Sequence, residues 1–401
     1  MKSRWLLYRT LERLTGGGHK VSFEADKSAP PALTVYASTL GEFNAISPFL
    51  KAFHARRPRT PINLLSEHPH YFPSFEKAWP QARCFAIDAR SETAQAFFKT
   101  QRTGIFVLAE IPLLPHDAPA RLPFAWLHYA KQSGAAIALL NGWLYHEPPA
   151  CRMDRLERAW FGRAQLDHFD LITVQDETTR DRLIELGASA SRIHVPGNLK
   201  FDFTPPGAQR APLFSERPVV VAGSMNNMPE YHLLLDGFAV LRTHQPQCAL
   251  IIAPRHPENT TRTDALCALL AQRGLSYALA SQARGQTLKE DCLVLDTLGD
   301  LAGCYREAAC AHVGINHTVL EPLRFGKRVT VSPGWEPRYP SFGLRTRMQE
   351  EGLVVECPDA KTLGQQWLWA IDQAAQDTSL LSRFAGGSAR TLHLMQAAGW
   401  V

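Results

Sequence analysis

The sequence lacks most of what would mark a chain as anything but a folded globular protein. No apolar run approaches the roughly 18 residues that a membrane-crossing helix needs, and no cleavable leader pattern stands at the amino end. No two cysteines form a Cys-x-x-Cys pair. Cys84, Cys151, Cys248, Cys267, Cys292, Cys304, Cys310 and Cys357 are scattered, mostly through apolar segments. That argues against a metal knuckle or a redox motif and for reduced, buried thiols in a cytosolic protein. There is no long Lys/Arg run, no basic helix and no zinc-finger spacing, so nucleic acid is a poor partner. Internal repeats and low-complexity tracts are missing too. With 45% hydrophobic and 20% charged residues, large-scale disorder has no compositional basis.

What is present is enough chain, 401 residues, for two ordinary cores. The net charge of +5 is modest and spread out. It describes a solvated surface, or a mild attraction for phosphates or a lipid surface. Near the amino end Trp5, Leu6, Leu7, Leu11 and Leu14 lie among Arg4, Arg9 and Arg13, ahead of Gly16-Gly17-Gly18. The pattern suits a helix packed on its own domain or one lying at a membrane interface.

Strand-like runs then alternate with helical ones. Strands are expected over Leu33–Ala37, Pro61–Leu65, Gly104–Ala109, Ala135–Leu140 and Leu171–Val174, and helices over Asn44–Arg56, Glu92–Lys99, Asp154–Gln165 and Glu177–Leu186. Three prolines and a glycine between Phe203 and Pro212 read as a linker. The alternation restarts with strands over Val219–Ala222, Ala249–Ala253, Leu293–Leu295, Ala311–Val313 and Arg328–Val331, and helices over Glu230–His244 and Thr261–Arg273. This predicts an α/β protein of the GT-B kind, two Rossmann-like domains facing a central cleft, with one large doubly wound domain as the alternative. The expected divisions are a first Rossmann-like domain over 1–204, a second over 205–378, and a helical tail over 379–401 that packs back on the first domain.

In open α/β sheets, ligands bind beyond the carboxyl ends of the strands. Gly223-Ser224, Arg255-His256-Pro257-Glu258, Thr297-Leu298-Gly299-Asp300, and His317-Thr318 with Glu321-Pro322 all follow predicted strands of the second half. Together they offer a cation and free N–H groups for phosphate and a carboxylate for ribose hydroxyls. Each has a plainer use: Arg255 in a surface ion pair, Gly299 in a turn, Asp300 as a helix cap, His317 as a satisfied core histidine, and Glu321 at a helix N-terminus.

These residues also carry a resemblance. Gly41-Glu42, Val195-Pro196-Gly197-Asn198-Leu199-Lys200-Phe201-Asp202, Ala253-Pro254-Arg255-His256-Pro257-Glu258, Asp296-Thr297-Leu298-Gly299-Asp300-Leu301, and Leu320-Glu321-Pro322 with Gly326-Lys327 stand in the order found in Kdo transferases. Those enzymes move 3-deoxy-D-manno-octulosonic acid (Kdo) from CMP-Kdo to a lipid A precursor. The resemblance implies a GT-B fold and inverting transfer with no metal and no cofactor beyond the CMP-Kdo donor. It implies a cytoplasmic protein, with peripheral contact at the inner face of the inner membrane. Glu42, on the loop after the first strand, matches the general base. Arg255 and His256 would meet the phosphate, and Ser224 and His317 would line the same nucleotide-sugar site. Thr297, Leu298, Gly299 and Asp300 would wrap cytosine and phosphate, Glu321 would take the ribose hydroxyls, and Lys200 would offset the sugar carboxylate or leaving phosphate. Gly41, Glu110 and Asn141 fall on the acceptor side.

The chain also departs from the family. The family's Glu-Leu-Trp-Pro-Asn run stands here as Glu110-Ile111-Pro112-Leu113-Leu114-Pro115, and its Asn-Ala-Arg-Leu as Asn141-Gly142-Trp143-Leu144. Thr318 replaces an asparagine, and Gly314 is the single glycine of a usually glycine-rich approach. These changes fall on the sugar and acceptor side. Two other readings stand beside the leading one: a GT-B enzyme using a UDP-sugar, such as a lipid A disaccharide synthase or an epimerase, and a paralogue that binds nucleotide or glycan without transferring it.

Overall fold

The computed structural model describes residues 2–15, 23–24, 30–88, 90–110, 124–145, 152–203, 214, 217–257, 260–283 and 287–401. The chain divides into two units, Met1–Phe203 with Phe384–Val401, and Thr204–Arg383.

The first unit holds β1 (Ala32–Tyr36), β2 (Ile62–Ser66), β3 (Arg83–Ala86), β4 (Thr103–Ala109), β5 (Ala136–Gly142), β6 (Leu171–Val174) and β7 (Ile193–His194). They form one parallel sheet in the order β3-β2-β1-β4-β5-β6-β7. Both faces are covered, so the central strands read as unbroken apolar runs rather than alternating ones. Tyr36, Phe106 and Trp126 lie in the core on one face, and Val35, Phe49 and Leu140 in the core on the other. The strand order reverses between β1 and β4, which puts the loops after β1, β4 and β5 side by side at the carboxyl edge.

The second unit repeats the plan with β8 (Val219–Met225), β9 (Ala249–Pro254), β10 (Tyr277–Leu279), β11 (Cys292–Val294), β12 (Cys310–Val313), β13 (Val329–Val331) and β14 (Val354–Glu356). Its parallel order is β10-β11-β9-β8-β12-β13-β14. The reversal here lies between β8 and β12.

Several expectations need correction. The helix after β1 begins at Leu40, not Asn44, because the Thr39 hydroxyl accepts the Glu42 N–H and starts the helix early. Glu42 therefore sits in a helical first turn rather than on a loop. Strand β8 runs on to Met225, with a register irregularity after Ala222, so Ser224 lies inside it rather than after it. The helical stretch expected from Asp154 starts at Arg152 and contains a π-helical turn, Arg158–Gly162. The expected linker, apart from Phe203, and the run 111–115 lie outside the described residues, as does Glu258.

The helix Lys2–Thr15 packs on its own unit. Trp5 stacks on His128 at 3.8 Å between ring centres, and Tyr8 meets Phe161 edge-on. Leu6 and Leu14 face outward, 66% and 78% exposed. At the other end of the chain the helix Gly387–Ala397 buries Leu392 and Met395 in the core that also holds Leu199.

Candidate functional site

At the carboxyl edge of the first sheet, five polar side chains from four separate stretches of chain form one buried network. Glu110 follows β4 with φ of 59°, and Asn141, near the end of β5, also has φ of 59°. Side chains other than glycine rarely occupy that left-handed region, and such strain collects at functional sites. The Glu110 carboxylate accepts from Asn141 Nδ2 at 2.5 Å and from Gln175 Nε2 at 3.3 Å, and pairs with Lys200 Nζ at 2.9 Å. Asn198 donates to Gln175 Oε1 at 2.9 Å, and its Oδ1 accepts the Lys200 N–H at 3.0 Å. Asn141 Oδ1 accepts the Leu199 N–H at 2.8 Å. Thus Asn141 and Asn198 fix the backbone of the turn Leu199–Asp202, and Glu110 fixes the side chain it presents.

Glu42 lies beside this network. Its Oε2 accepts the Ser38 N–H at 2.6 Å while its own N–H donates to Thr39 Oγ1, a reciprocal cap. Burial, chiefly, and the neighbouring Glu110 carboxylate push its pKa from an ordinary 4.5 up to about 8; the backbone bonds and Lys200 oppose the rise. Burial raises Glu110 too, and Lys200 opposes that shift. One ammonium thus sits by two buried carboxylates, an arrangement that holds a proton-accepting group near neutral pH. Gly41 is exposed next to Glu42, and a Cβ there would meet only Thr39 Oγ1, at 3.7 Å.

The second sheet's carboxyl edge is built differently. Ser224 and His256 have φ of 60°, Asn316 has φ of 61°, and Gly314 approaches so closely that a Cβ would lie 2.2 Å from the Ser224 carbonyl oxygen. Arg255 follows β9 directly, and its N–H donates to Met225 O at 2.7 Å, beside the end of β8. Glu230 joins two loops, accepting the Asn226 N–H at 2.9 Å and the Ile315 N–H at 2.7 Å. Thr297 donates its hydroxyl to Asp300 Oδ2 at 2.5 Å across a turn that Gly299 enters with φ of 91° and that leaves Leu298 75% exposed. Asp300 precedes the helix Leu301–Glu307 without capping it through its side chain. Glu321 sits in the first turn of the helix Leu320–Arg324; burial raises its pKa and Arg324 opposes the rise. His317 stands three residues before that helix and is half-buried. Among the described residues no group of three or more His, Cys, Asp or Glu side chains could hold a metal ion.

Comparison with known proteins bears on both edges. Residues 12–203 match the family model described as 3-deoxy-D-manno-octulosonic-acid transferase (kdotransferase), a span that takes in the whole Glu42 network. Proteins named 3-deoxy-D-manno-octulosonic acid transferase from Chlamydia trachomatis serovar D and Chlamydophila psittaci are 29% and 27% identical over 330 and 292 residues. Those alignments cover 74% and 65% of this chain. The chain is similar to the Kdo transferases, and its match to their family model lies in residues 12–203. It spans 69% and 64% of the length of these two relatives. The UDP-GlcNAc 2-epimerase of Methanocaldococcus jannaschii superposes with a TM-score of 0.58 at 12% identity, covering 91% of this chain and 99% of that one. A glycosyltransferase from Rickettsia africae gives a TM-score of 0.55 at 13% identity, covering 92% and 96%. At such identities the likeness speaks to the fold alone, and the fold is GT-B.

Within the stretch that matches the Kdo transferase model, the structure brings Glu42, Glu110, Asn141 and Lys200 together at one sheet edge. Lys200, expected on the donor side, is ion-paired with Glu110 of the first unit. Ser224, near the end of β8, shares the other edge with Arg255, the Thr297–Asp300 turn, His317 and Glu321, which follow β9, β11 and β12. Sequence reasoning passed over Gln175 and Glu230. The first left no signal, because one glutamine after a strand looks like any surface residue. The second had one: Asn227-x-x-Glu230 is a capping box placed after the first strand of its unit, as Thr39-x-x-Glu42 is in the other.

Proposed function

We propose that this chain is an inverting glycosyltransferase that moves Kdo, or a related ulosonic acid, from its CMP-activated form to a hydroxyl of a lipid A precursor or related glycan. Glu42 is the general base. As the acceptor oxygen bonds to the anomeric carbon, the hydroxyl proton passes to the Glu42 carboxylate, the anomeric carbon–phosphate oxygen bond breaks, and CMP leaves with its electron pair. One observation carries this reading: a buried carboxylate with its pKa raised to about 8, beside the Glu110–Lys200 pair, inside the stretch the family covers.

The second unit's edge suits the nucleotide. Arg255 offers a guanidinium to the leaving phosphate, and a fixed cation there stabilises developing negative charge without a metal ion. The turn Thr297–Asp300 offers backbone groups to the base, with Gly299 giving close access. Glu321 accepts the ribose hydroxyls.

The acceptor's lipid places the reaction near a membrane. No helix among the described residues is long and apolar enough to cross one. Instead, Leu6 and Leu14 are exposed on a helix that also bears Arg4, Arg9 and Arg13, and this face suits peripheral contact with anionic lipid at the cytoplasmic leaflet. Incubation with CMP-Kdo and a lipid A precursor, read by product mass, tests the proposal. One or more added Kdo masses are expected. CMP binding with no adduct would replace transfer by the binding-only reading.

A further inference from the structure

The turn that carries Lys200 is held by residues nearly two hundred positions further along the chain. The helix Gly387–Ala397 starts at Gly386, which has φ of 90° and no side chain to cap it. Asp202 supplies the missing cap: its Oδ1 accepts the Gly386 N–H at 2.5 Å and its Oδ2 the Ser388 N–H at 2.6 Å. Charged acceptors at a helix N-terminus make short, strong bonds and favour the helix dipole. Arg390 closes the contact from the other direction, donating from Nε to Pro196 O at 2.7 Å. The two segments approach so closely that a Cβ on Gly387 would come within 3.1 Å of the Gly197 carbonyl oxygen.

The geometry of the turn explains what this grip controls. Leu199–Asp202 is a 3-10 helix, with three residues per turn, so Leu199 and Asp202 face the same way and Lys200 lies a third of a turn round. Leu199 shares a core with Leu392 and Met395, and Asp202 caps the same helix. Lys200 is thereby directed elsewhere, to Glu110. Asn141 and Asn198 hold the start of the turn, and its end, at Asp202, is bound to the C-terminal helix.

We propose that Asp202 is a positioning residue, and that with Arg390 and the N-terminus of the helix Gly387–Ala397 it forms a clasp that sets the Lys200 ammonium against Glu110 and beside Glu42. Residues 384–401 then belong to the working parts of the first unit. The inference rests on the reading of Glu42 as base and Lys200 as its neighbouring charge.

Asp202→Ala in the full chain tests it. Glu42 is faced by the Glu110 carboxylate, the Lys200 ammonium and, more distantly, the Tyr36 phenol, and of these only Lys200 lowers its pKa. Letting Lys200 drift raises that pKa, so the acidic limb of kcat against pH moves upward, by about one unit, with kcat at neutral pH down about tenfold. Asp202→Asn, which keeps an oxygen acceptor but not the charge, falls between. Leu127→Ala empties the core on the other face of the first sheet; it lowers thermal stability and leaves the limb in place. A uniform loss of kcat at every pH in Asp202→Ala would overturn the proposal. A second readout does not depend on turnover: acetylation of Lys200 by acetic anhydride, followed by mass spectrometry. In the parent the Lys200 side chain is 17% exposed and ion-paired, and its labelling rises several-fold in Asp202→Ala and in Arg390→Ala. If the parent proves inactive with CMP-Kdo, the transfer reading fails while faster Lys200 labelling still upholds the clasp; unchanged labelling overturns the clasp whatever the activity. Arg390→Ala, judged by both readings, decides the matter should Asp202→Ala not fold.

Discussion

On the proposed reading Glu42 does two jobs with one carboxylate, and a single substitution separates them. As the third residue of a capping box it holds the Ser38 N–H, a task glutamine performs as well. As a base it must lose a proton, which glutamine cannot do. Glu42→Gln is therefore expected to fold normally and keep CMP affinity while kcat falls by at least about a hundredfold; a variant with parental turnover would remove Glu42 from the chemistry. The raised pKa also fixes two pH dependences. Because the carboxylate is the active form, kcat rises with pH through about 8. Stability runs the other way. Between the unfolded value near 4.5 and the folded value near 8, the folded state keeps a proton that the unfolded state releases, so stability falls as pH rises through that window. Glu42→Gln removes this slope. Its melting temperature should match the parent's near about pH 4 and exceed it above about pH 8, and parallel curves would deny the shift.

At the scale of elements, the two units use the same device for different ends. In each, a cap residue follows the first strand and a glutamate three residues on reaches back to the backbone. Glu230 also accepts the Ile315 N–H from the loop after β12, so both its oxygens serve the fold. At the corresponding place in the first unit, the loop after β4 supplies not an N–H but the carboxylate of Glu110. On the proposed reading, that difference separates a structural glutamate from a reactive one. Glu230→Gln should therefore cost stability, about 1–3 kcal/mol for a buried donor left unpaired, measured from the urea midpoint. The expected loss is far greater than for Glu42→Gln at neutral pH, and a neutral Glu230→Gln would contradict the assignment.

The elements also show what the sequence makes legible. Central strands such as β4, β5 and β9 are recognisable because burial on both faces demands unbroken apolar runs. β3, β7, β10 and β14 went unread, and all four lie at sheet edges. They are short and partly exposed, with residues such as Arg83 and Glu356 that no periodicity singles out. The helix Ser341–Glu350 was hidden for a related reason: one of the residues it buries is Arg345. At the first unit's edge, Glu42 and Lys200 were visible through motif resemblance. Their connection through Asn141, Gln175 and Asn198 was not, since hydrogen bonds across 34 and 57 positions leave no local trace.

For the whole molecule, nucleotide preference is the property that tests the second unit. A ligand that binds only the folded state stabilises it by about 2.7 kcal/mol at a hundred times its Kd. CMP is expected to raise the melting temperature and UDP not to; protection by UDP alone would favour a UDP-sugar enzyme. Arg255→Ala should weaken CMP binding by about 1.5–3 kcal/mol, the worth of a hydrogen bond to a charged group, read by calorimetry.

The return of the chain to its first unit sets an order of events during synthesis. The first unit cannot close its core over Leu199, or seat Asp202, until residues 384–401 have left the ribosome. At about 5–20 residues per second, the stretch Thr204–Arg383 that separates the two parts of the first unit takes roughly 9–36 s to make. Throughout that interval the earliest-made unit waits unfinished while the later one is completed. A message truncated before residue 384 would yield a complete second unit and a first unit without the helix that Asp202 caps.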